Sequence, residues 1–220
     1  MLTNGISVFV FEDFSTPLVH AEFCAKAGYE IRNETDAPYF LLCAELFDEA
    51  GIGLNSAQGF DFQFESECTA NGARFSIDCT GAELKNVFER LGECAFAPLF
   101  SDEVLQRNFK KIKGQEISSA ENFINAQINS RVFKNFSRQG VGAPFPPFSE
   151  QKNLSELRAI VNRIFQEYYA PQNCAIFVSG AIKAKSVLHL AQETFGKHAI
   201  RPQTAAEKSF FLAKRIPESE

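Results

Sequence analysis

Residues 60–80 read FDFQFESECTANGARFSIDCT, and the fold turns on them. Phe60, Phe62 and Phe64 alternate with Asp61, Gln63 and Glu65; beyond Asn71 and Gly72, Phe75, Ile77 and Cys79 alternate with Arg74, Ser76 and Asp78. A period of two sends successive side chains to opposite faces of a strand, and Asn-Gly tolerates the positive φ angles of a tight turn. The stretch predicts a hairpin with one packed face and one wet face. It leads directly into Thr80 and Glu83 at capping-box spacing, which predicts a helix with the stripe Leu84, Val87, Phe88, Leu91 and Ala95, ending before Pro98.

Upstream, Ile6 to Phe11 is apolar except for Ser7, the pattern of a strand covered on both faces and central in its sheet. After the turn signal Ser15-Thr16-Pro17, Leu18 to Ala25 reads as a second strand beside the first. Asp36 is placed to cap a helix that is apolar over most of its girth through Tyr39, Phe40, Leu42, Cys43, Leu46 and Phe47, so that helix is expected to be buried.

Downstream, Asp102 opens a helical pattern reaching about Arg138, with Leu105, Phe109, Ile112 and Glu116 on its stripe. Glu116 therefore falls on, or at the edge of, an apolar face. Gly140, Gly142, Pro144, Pro146 and Pro147 mark an irregular loop. Asn153 and Glu156 then form a second capping signature, for a helix striped by Leu157, Ile160, Val161, Ile164, Phe165 and Tyr168. A strand from Cys174 to Ser179, a break at Gly180 and a helix from Lys183 to Phe195 complete the order. Paired strands, then helices, then a further strand and helix predict an α+β fold, a mainly antiparallel sheet with helices on one face. Residues 1–200 are read as a single domain and 201–220 as a polar tail or linker.

Composition narrows the function. With 22 basic and 27 acidic side chains the formal charge is −5, and the longest basic run is the pair Lys110 and Lys111, so nucleic acid has little electrostatic support as a partner. Apolar runs fall far short of the roughly 20 residues of a membrane span. The six cysteines, Cys24, Cys43, Cys68, Cys79, Cys94 and Cys174, show neither a C-x-x-C pair nor zinc-finger spacing and read as free, mostly buried thiols. Met1 to Val10 lack the marks of a signal peptide, and the expectation is a cytoplasmic protein. His20, His189 and His198 are the only histidines, and no two stand four residues apart, the spacing that puts two imidazoles on one helix face.

Four strings, taken in order, resemble the amino-terminal domain of the insulinase and pitrilysin peptidases, a family that includes the mitochondrial processing peptidases. They are Leu2-Thr3-Asn4-Gly5-Ile6-Ser7-Val8; the helix from Leu84 that ends Ala97-Pro98-Leu99-Phe100; the helix around Phe109 to Ile117; and Tyr169-Ala170-Pro171-Gln172-Asn173-Cys174, followed by a strand closing at Gly180. Their order and spacing agree over about 195 residues. The resemblance implies a zinc peptidase half-unit, with an inverted motif His-x-x-Glu-His on the first helix and a second Glu about 75 residues further on.

Laid on this chain, that motif falls on Tyr39-Phe40-Leu41-Leu42-Cys43, with Tyr39 and Cys43 at the imidazole positions and Leu42 at the general base. Glu116, 73 residues beyond Cys43, is the one ligand type retained. Moving the register by one places Phe40, Cys43 and Ala44 there and restores nothing. Leu42 cannot accept a proton, and a phenol, a thiol and one carboxylate do not reproduce two imidazoles and a carboxylate. A thiolate role for Cys43 would need a lowered pKa, whereas an apolar helix and a nearby carboxylate both raise it.

The resemblance further implies a substrate-seizing edge strand, here near Gly59 to Cys68, where Phe60, Phe62 and Phe64 are the candidate peptide-binding residues. The leading reading is thus a non-catalytic homologue that binds no cofactor and serves as scaffold or partner of a homologous peptidase subunit or second domain, or as a homo-oligomer. Two alternatives stand beside it. One is an active zinc-dependent endopeptidase with atypical or partner-supplied ligands; the other is an assembly module that binds peptides. None involves nucleic acid or a membrane.

Overall fold

The computed structural model describes residues 1–28, 36–57, 64–69, 72–118 and 152–200. Five strands form one sheet: β1 (Ser7–Glu12), β2 (Leu18–Ala25), β3 (Phe64–Cys68), β4 (Ala73–Thr80) and β5 (Cys174–Gly180), in the spatial order β1-β5-β2-β4-β3. The sheet is mixed. β5–β2, β2–β4 and β4–β3 are antiparallel, and β1–β5 is parallel. The helices are α1 (Ala37–Ala57), α2 (Leu84–Phe96), α3 (Asp102–Ser118), α4 (Leu154–Tyr168) and α5 (Ala184–Thr194). α1, α2 and α5 lie against the sheet, and α3 and α4 pack on α1.

The alternation read from residues 60–80 is what splits the sheet into two faces. Val19, Ala21 and Phe23 on β2, Phe75, Ile77 and Cys79 on β4, and Ile176 and Val178 on β5 are all buried beneath the helices. On the other face stand His20, Glu22, Arg74, Asp78, Phe9 and Phe177. The hairpin forms as expected, Phe64 opposite Ile77 and Cys68 opposite Ala73, with the Thr69 N–H and hydroxyl both donating to the Gly72 carbonyl across the turn. Phe60 and Phe62 lie outside the described residues, as do the expected continuation of α3 past Ser118, the Gly/Pro loop and the 201–220 tail.

Three local expectations are corrected. β1 is an edge strand, not a central one: its apolar run faces the helices through Val8 and Val10 but leaves Phe9 and Phe11 on the open face, 53% and 70% exposed. β1 and β2 are not neighbours, because β5, contributed from about 150 residues later in the chain, inserts between them; no turn signal near β1 could reveal that. At Thr80 the box is only half formed. The Glu83 carboxylate accepts from the Thr80 N–H at 2.8 Å, but it also takes the Thr80 hydroxyl at 2.7 Å, and the helix starts one turn later at Leu84. Asn153 and Glu156, by contrast, make the complete reciprocal box at the start of α4.

The ends of the sheet are tied by residues whose roles are purely backbone. Asn4, almost fully buried, donates from Nδ2 to the carbonyls of Phe195 and His198 at 2.8 and 2.9 Å, clamping the chain just after α5 to the start of β1. Gly5 follows with φ +93°. Gly180 has φ +129°, and a Cβ there would stand 2.2 Å from the Leu18 carbonyl oxygen, so the end of β5 admits no side chain against β2. Asn4→Ala leaves two carbonyls without that donor, and unfolding in urea is expected to show a loss of about 1–3 kcal/mol with an unchanged m-value.

Candidate functional site

α1 carries Tyr39, Leu42 and Cys43, the positions on which the resemblance lays the inverted motif. Tyr39, Cys43 and Phe47 follow one another at four-residue intervals, and Leu42 and Leu46 form the adjoining row, so both rows share one side of the helix. Phe47 fixes which side that is: its ring stacks on Phe75 of β4 at 3.6 Å and lies 5.9 Å from Phe23 of β2. Tyr39, Leu42 and Cys43 are consequently drawn into the core, Leu42 and Cys43 with no exposed surface. Phe40 and Ala44, the alternative register, are buried as well.

The environment of Cys43 suits a packed thiol. Burial pushes its pKa well above the ordinary value, and the neighbouring Cys68 thiol adds to the shift while Arg163 opposes it. Four further thiols behave alike: burial raises Cys24, Cys68 and Cys79 to about 12 and Cys94 to about 11. Tyr169, at the end of α4, is fully buried against Phe165 and Phe47, within electrostatic reach of Cys43, Cys68 and Cys174. Its hydroxyl has no hydrogen-bond partner among the described residues, and burial pushes its pKa well up.

Glu116 lies within α3, one turn past the buried Ile112; its side chain falls outside the described set. α3 packs on α1, so the helix of Glu116 and the helix of Tyr39, Leu42 and Cys43 are neighbours. Polar contacts that the sequence reading passed over join them. Lys111 bonds Glu45 at 2.5 Å, Arg107 pairs with Glu49, and the buried Asn108 donates to Glu49 and, at 3.0 Å, to the Val104 carbonyl. Glu45 and Glu49 on α1, and Arg107 and Lys111 on α3, are each spaced i, i+4, a complementary pattern that would have pointed to this seam. At the start of α1, Asp36 is held by Arg163 of α4 at 2.8 Å.

The donor set does not fit a catalytic zinc site. A phenol and a thiol buried in the core and an alkyl side chain offer no pair of neutral nitrogen ligands and no open position for water. Among the described residues, no group of three His, Cys, Asp or Glu side chains is placed to hold a metal ion. The open face of the sheet carries two depressions, of about 530 and 230 Å³, and neither is lined by an α1 residue. β3, the candidate peptide-binding strand, is the sheet edge opposite β1; its Phe64 ring is turned toward Phe75, 6.4 Å away, and Glu65 and Glu67 are exposed. No described helix is long and apolar enough to cross a membrane.

Searched by sequence, the chain matches no family model and no curated protein. By structure it is similar to several solved proteins. A protease from Helicobacter pylori superposes with a TM-score of 0.74 at 14% identity, covering 94% of this chain and 51% of that one. The periplasmic protease PqqL from Escherichia coli gives 0.76 at 14% identity, covering 93% of this chain and 24% of that one. The peptidase M16 inactive domain from Pseudomonas fluorescens gives 0.66 at 17% identity, covering 93% and 51%. This chain thus spans about half of the Helicobacter protease and a quarter of PqqL, and it has the α+β fold, a mixed sheet with helices on one face, of these peptidase domains.

Two measurements probe this core. Iodoacetamide at pH 8 is expected to leave Cys43 unmodified in the native protein, as read by peptide mass spectrometry, and to modify it after unfolding; rapid native labelling would mean a thiolate that burial does not suppress. Tyr169→Phe removes a buried hydroxyl that gains no bond, so thermal unfolding is expected to show unchanged stability or a gain of up to about 1 kcal/mol, against the loss that follows from deleting a bonded group.

Proposed function

We propose that this chain is a non-catalytic member of the insulinase and pitrilysin (M16) peptidase superfamily, acting as a scaffold or partner beside a catalytic relative. The observation that carries the reading is α1 itself: the helix that presents His-x-x-Glu-His in active members directs Tyr39, Leu42 and Cys43 into the core. An amide bond needs an activated water, and positions 39, 42 and 43 of this helix offer neither a base to deprotonate it nor imidazoles to hold a metal. The polar seam of Glu45, Glu49, Arg107, Asn108 and Lys111 supports the reading, since it joins α1 to α3 through ion pairs and hydrogen bonds between their own side chains. The similarity to a Pseudomonas fluorescens domain described as inactive adds that a peptidase domain of this shape exists without activity.

A partner subunit, or a second domain of the same kind, is the complement this function requires, because a scaffold without an active member has no peptidase role. Elemental analysis of the purified chain is expected to find zinc well below one ion per chain, and an unstructured peptide is expected to survive incubation with it. Affinity capture from the source cells is expected to recover a homologue with an intact motif. Stoichiometric zinc that disappears in Glu116→Ala, together with chelator-sensitive cleavage, would overturn the proposal.

A further inference from the structure

The two edges of the sheet differ in a way that the peptidase resemblance does not use. β3 is five residues long, with exposed Glu65 and Glu67, the kind of charge that discourages a further strand from pairing. β1, Ser-Val-Phe-Val-Phe-Glu, has no proline or lysine along its length. Its single charge, Glu12, is already engaged: the carboxylate accepts from the Ala184 N–H at 2.8 Å and meets Lys183 at 3.4 Å. Among the described residues no strand covers the outer side of β1.

Backbone alternation shows which groups are open there. The Asp13 N–H donates to the Gly180 carbonyl at 2.9 Å, so the odd-numbered residues of β1 direct their amides toward β5, and Val8, Val10 and Glu12 direct theirs outward. Side chains alternate independently: Phe9 and Phe11 stand on the open face, where Phe9 stacks on Phe177 at 4.8 Å and 11°, and Val8 and Val10 stand on the helix side, only partly buried.

From this geometry we infer that β1 pairs with β1 of a second copy of the chain, antiparallel, about a two-fold axis at Phe9, joining the two sheets edge to edge. The strand is its own complement in this register. Val8 lies opposite Val10 of the second copy, and the two N–H and two C=O groups that these residues leave open on each copy form four reciprocal hydrogen bonds. Phe9 faces Phe9 in the closer, non-hydrogen-bonded type of pair, extending the Phe9–Phe177 stack into a row of four rings. Ser7 faces Phe11, and both copies of Glu12 fall outside the paired residues, so no carboxylates oppose. A register centred one residue later puts Val8 against Glu12, an apolar side chain against a charge already in use.

This inference is independent of the proposed function, and a monomeric result would leave that function standing. The paired strip is shorter than an obligate interface, so a reversible dimer is expected, with sedimentation velocity showing monomer near 1 µM and dimer populated by about 100 µM. Phe9→Glu sets a carboxylate against its own copy at an exposed position and is expected to stay monomeric with an unchanged far-UV circular dichroism spectrum. Under mild oxidation Phe9→Cys is expected to cross-link to a covalent dimer, whereas Phe11→Cys, which faces Ser7, is not. A wild-type chain that remains monomeric up to about 500 µM would overturn the inference. So would dimerisation of Phe9→Glu equal to wild type, or cross-linking of Phe11→Cys as fast as that of Phe9→Cys.

Discussion

Phe23 is the ring on which the layers meet. It lies 5.9 Å from Phe47 of α1, 6.4 Å from Phe75 of β4, 6.0 Å from Phe96 of α2 and 5.9 Å from Phe195 just after α5, so one β2 side chain touches the sheet and three helical elements. Each ring in such a cluster contributes about 1.5–3 kcal/mol by leaving water, with a further increment from offset-stacked and edge-on geometry. More consequential than the sum is the orientation that the cluster imposes. Once Phe47 is seated on Phe75, the rotation of α1 is fixed, and the residues four and eight positions earlier, Cys43 and Tyr39, must enter the same core. A helix anchored in this way has no freedom to turn those positions toward a solvent-filled cleft.

The parts of the fold that local chemistry specifies could be read directly. Alternation around Asn71 and Gly72 gave the hairpin, Asn153 and Glu156 gave the start of α4, and the apolar girth of α1 gave its burial. What escaped were matters of long-range pairing. An uninterrupted apolar strand at an edge looks the same in sequence as one at the centre, and only the late arrival of β5 decides which it is. The candidate site divides along the same line. The residue types at 39, 42 and 43 and their apolar setting could be read directly, but the seam of Glu45, Glu49, Arg107, Asn108 and Lys111 joins two helices separated by three other elements, and each of its side chains alone looks like an ordinary polar surface residue.

The strings that carry the resemblance sort by physical task. Asn4 clamps carbonyls, Gly5 and Gly180 occupy positive φ, and Asn173 donates to the Glu167 carbonyl at 3.2 Å where α4 gives way to β5. All are demands of the backbone path, which any chain of this fold must meet whether or not it cleaves peptides. The positions at which the resemblance fails, Tyr39, Leu42 and Cys43, have no such backbone task and are filled by residues of the core. Tyr39 and Cys43 are both readily buried, so they fill their places on α1 without leaving an unpaired charge in the core.

A structural zinc site joining two helices contributes on the order of 10 kcal/mol where folding depends on it. The polar seam alone does not match that: exposed ion pairs are worth about 0–1 kcal/mol each, and Arg107 and Lys111 are more than half exposed. The bond from buried Asn108 to Glu49 is worth more, because it satisfies a group that has left water. The larger share comes from apolar burial on both sides of α1: Leu105 and Ile112 of α3 on one side, and Phe40, set edge-on against Tyr168 of α4 at 4.9 Å, on the other. In this chain α1 is held mainly by packing against the sheet, α3 and α4.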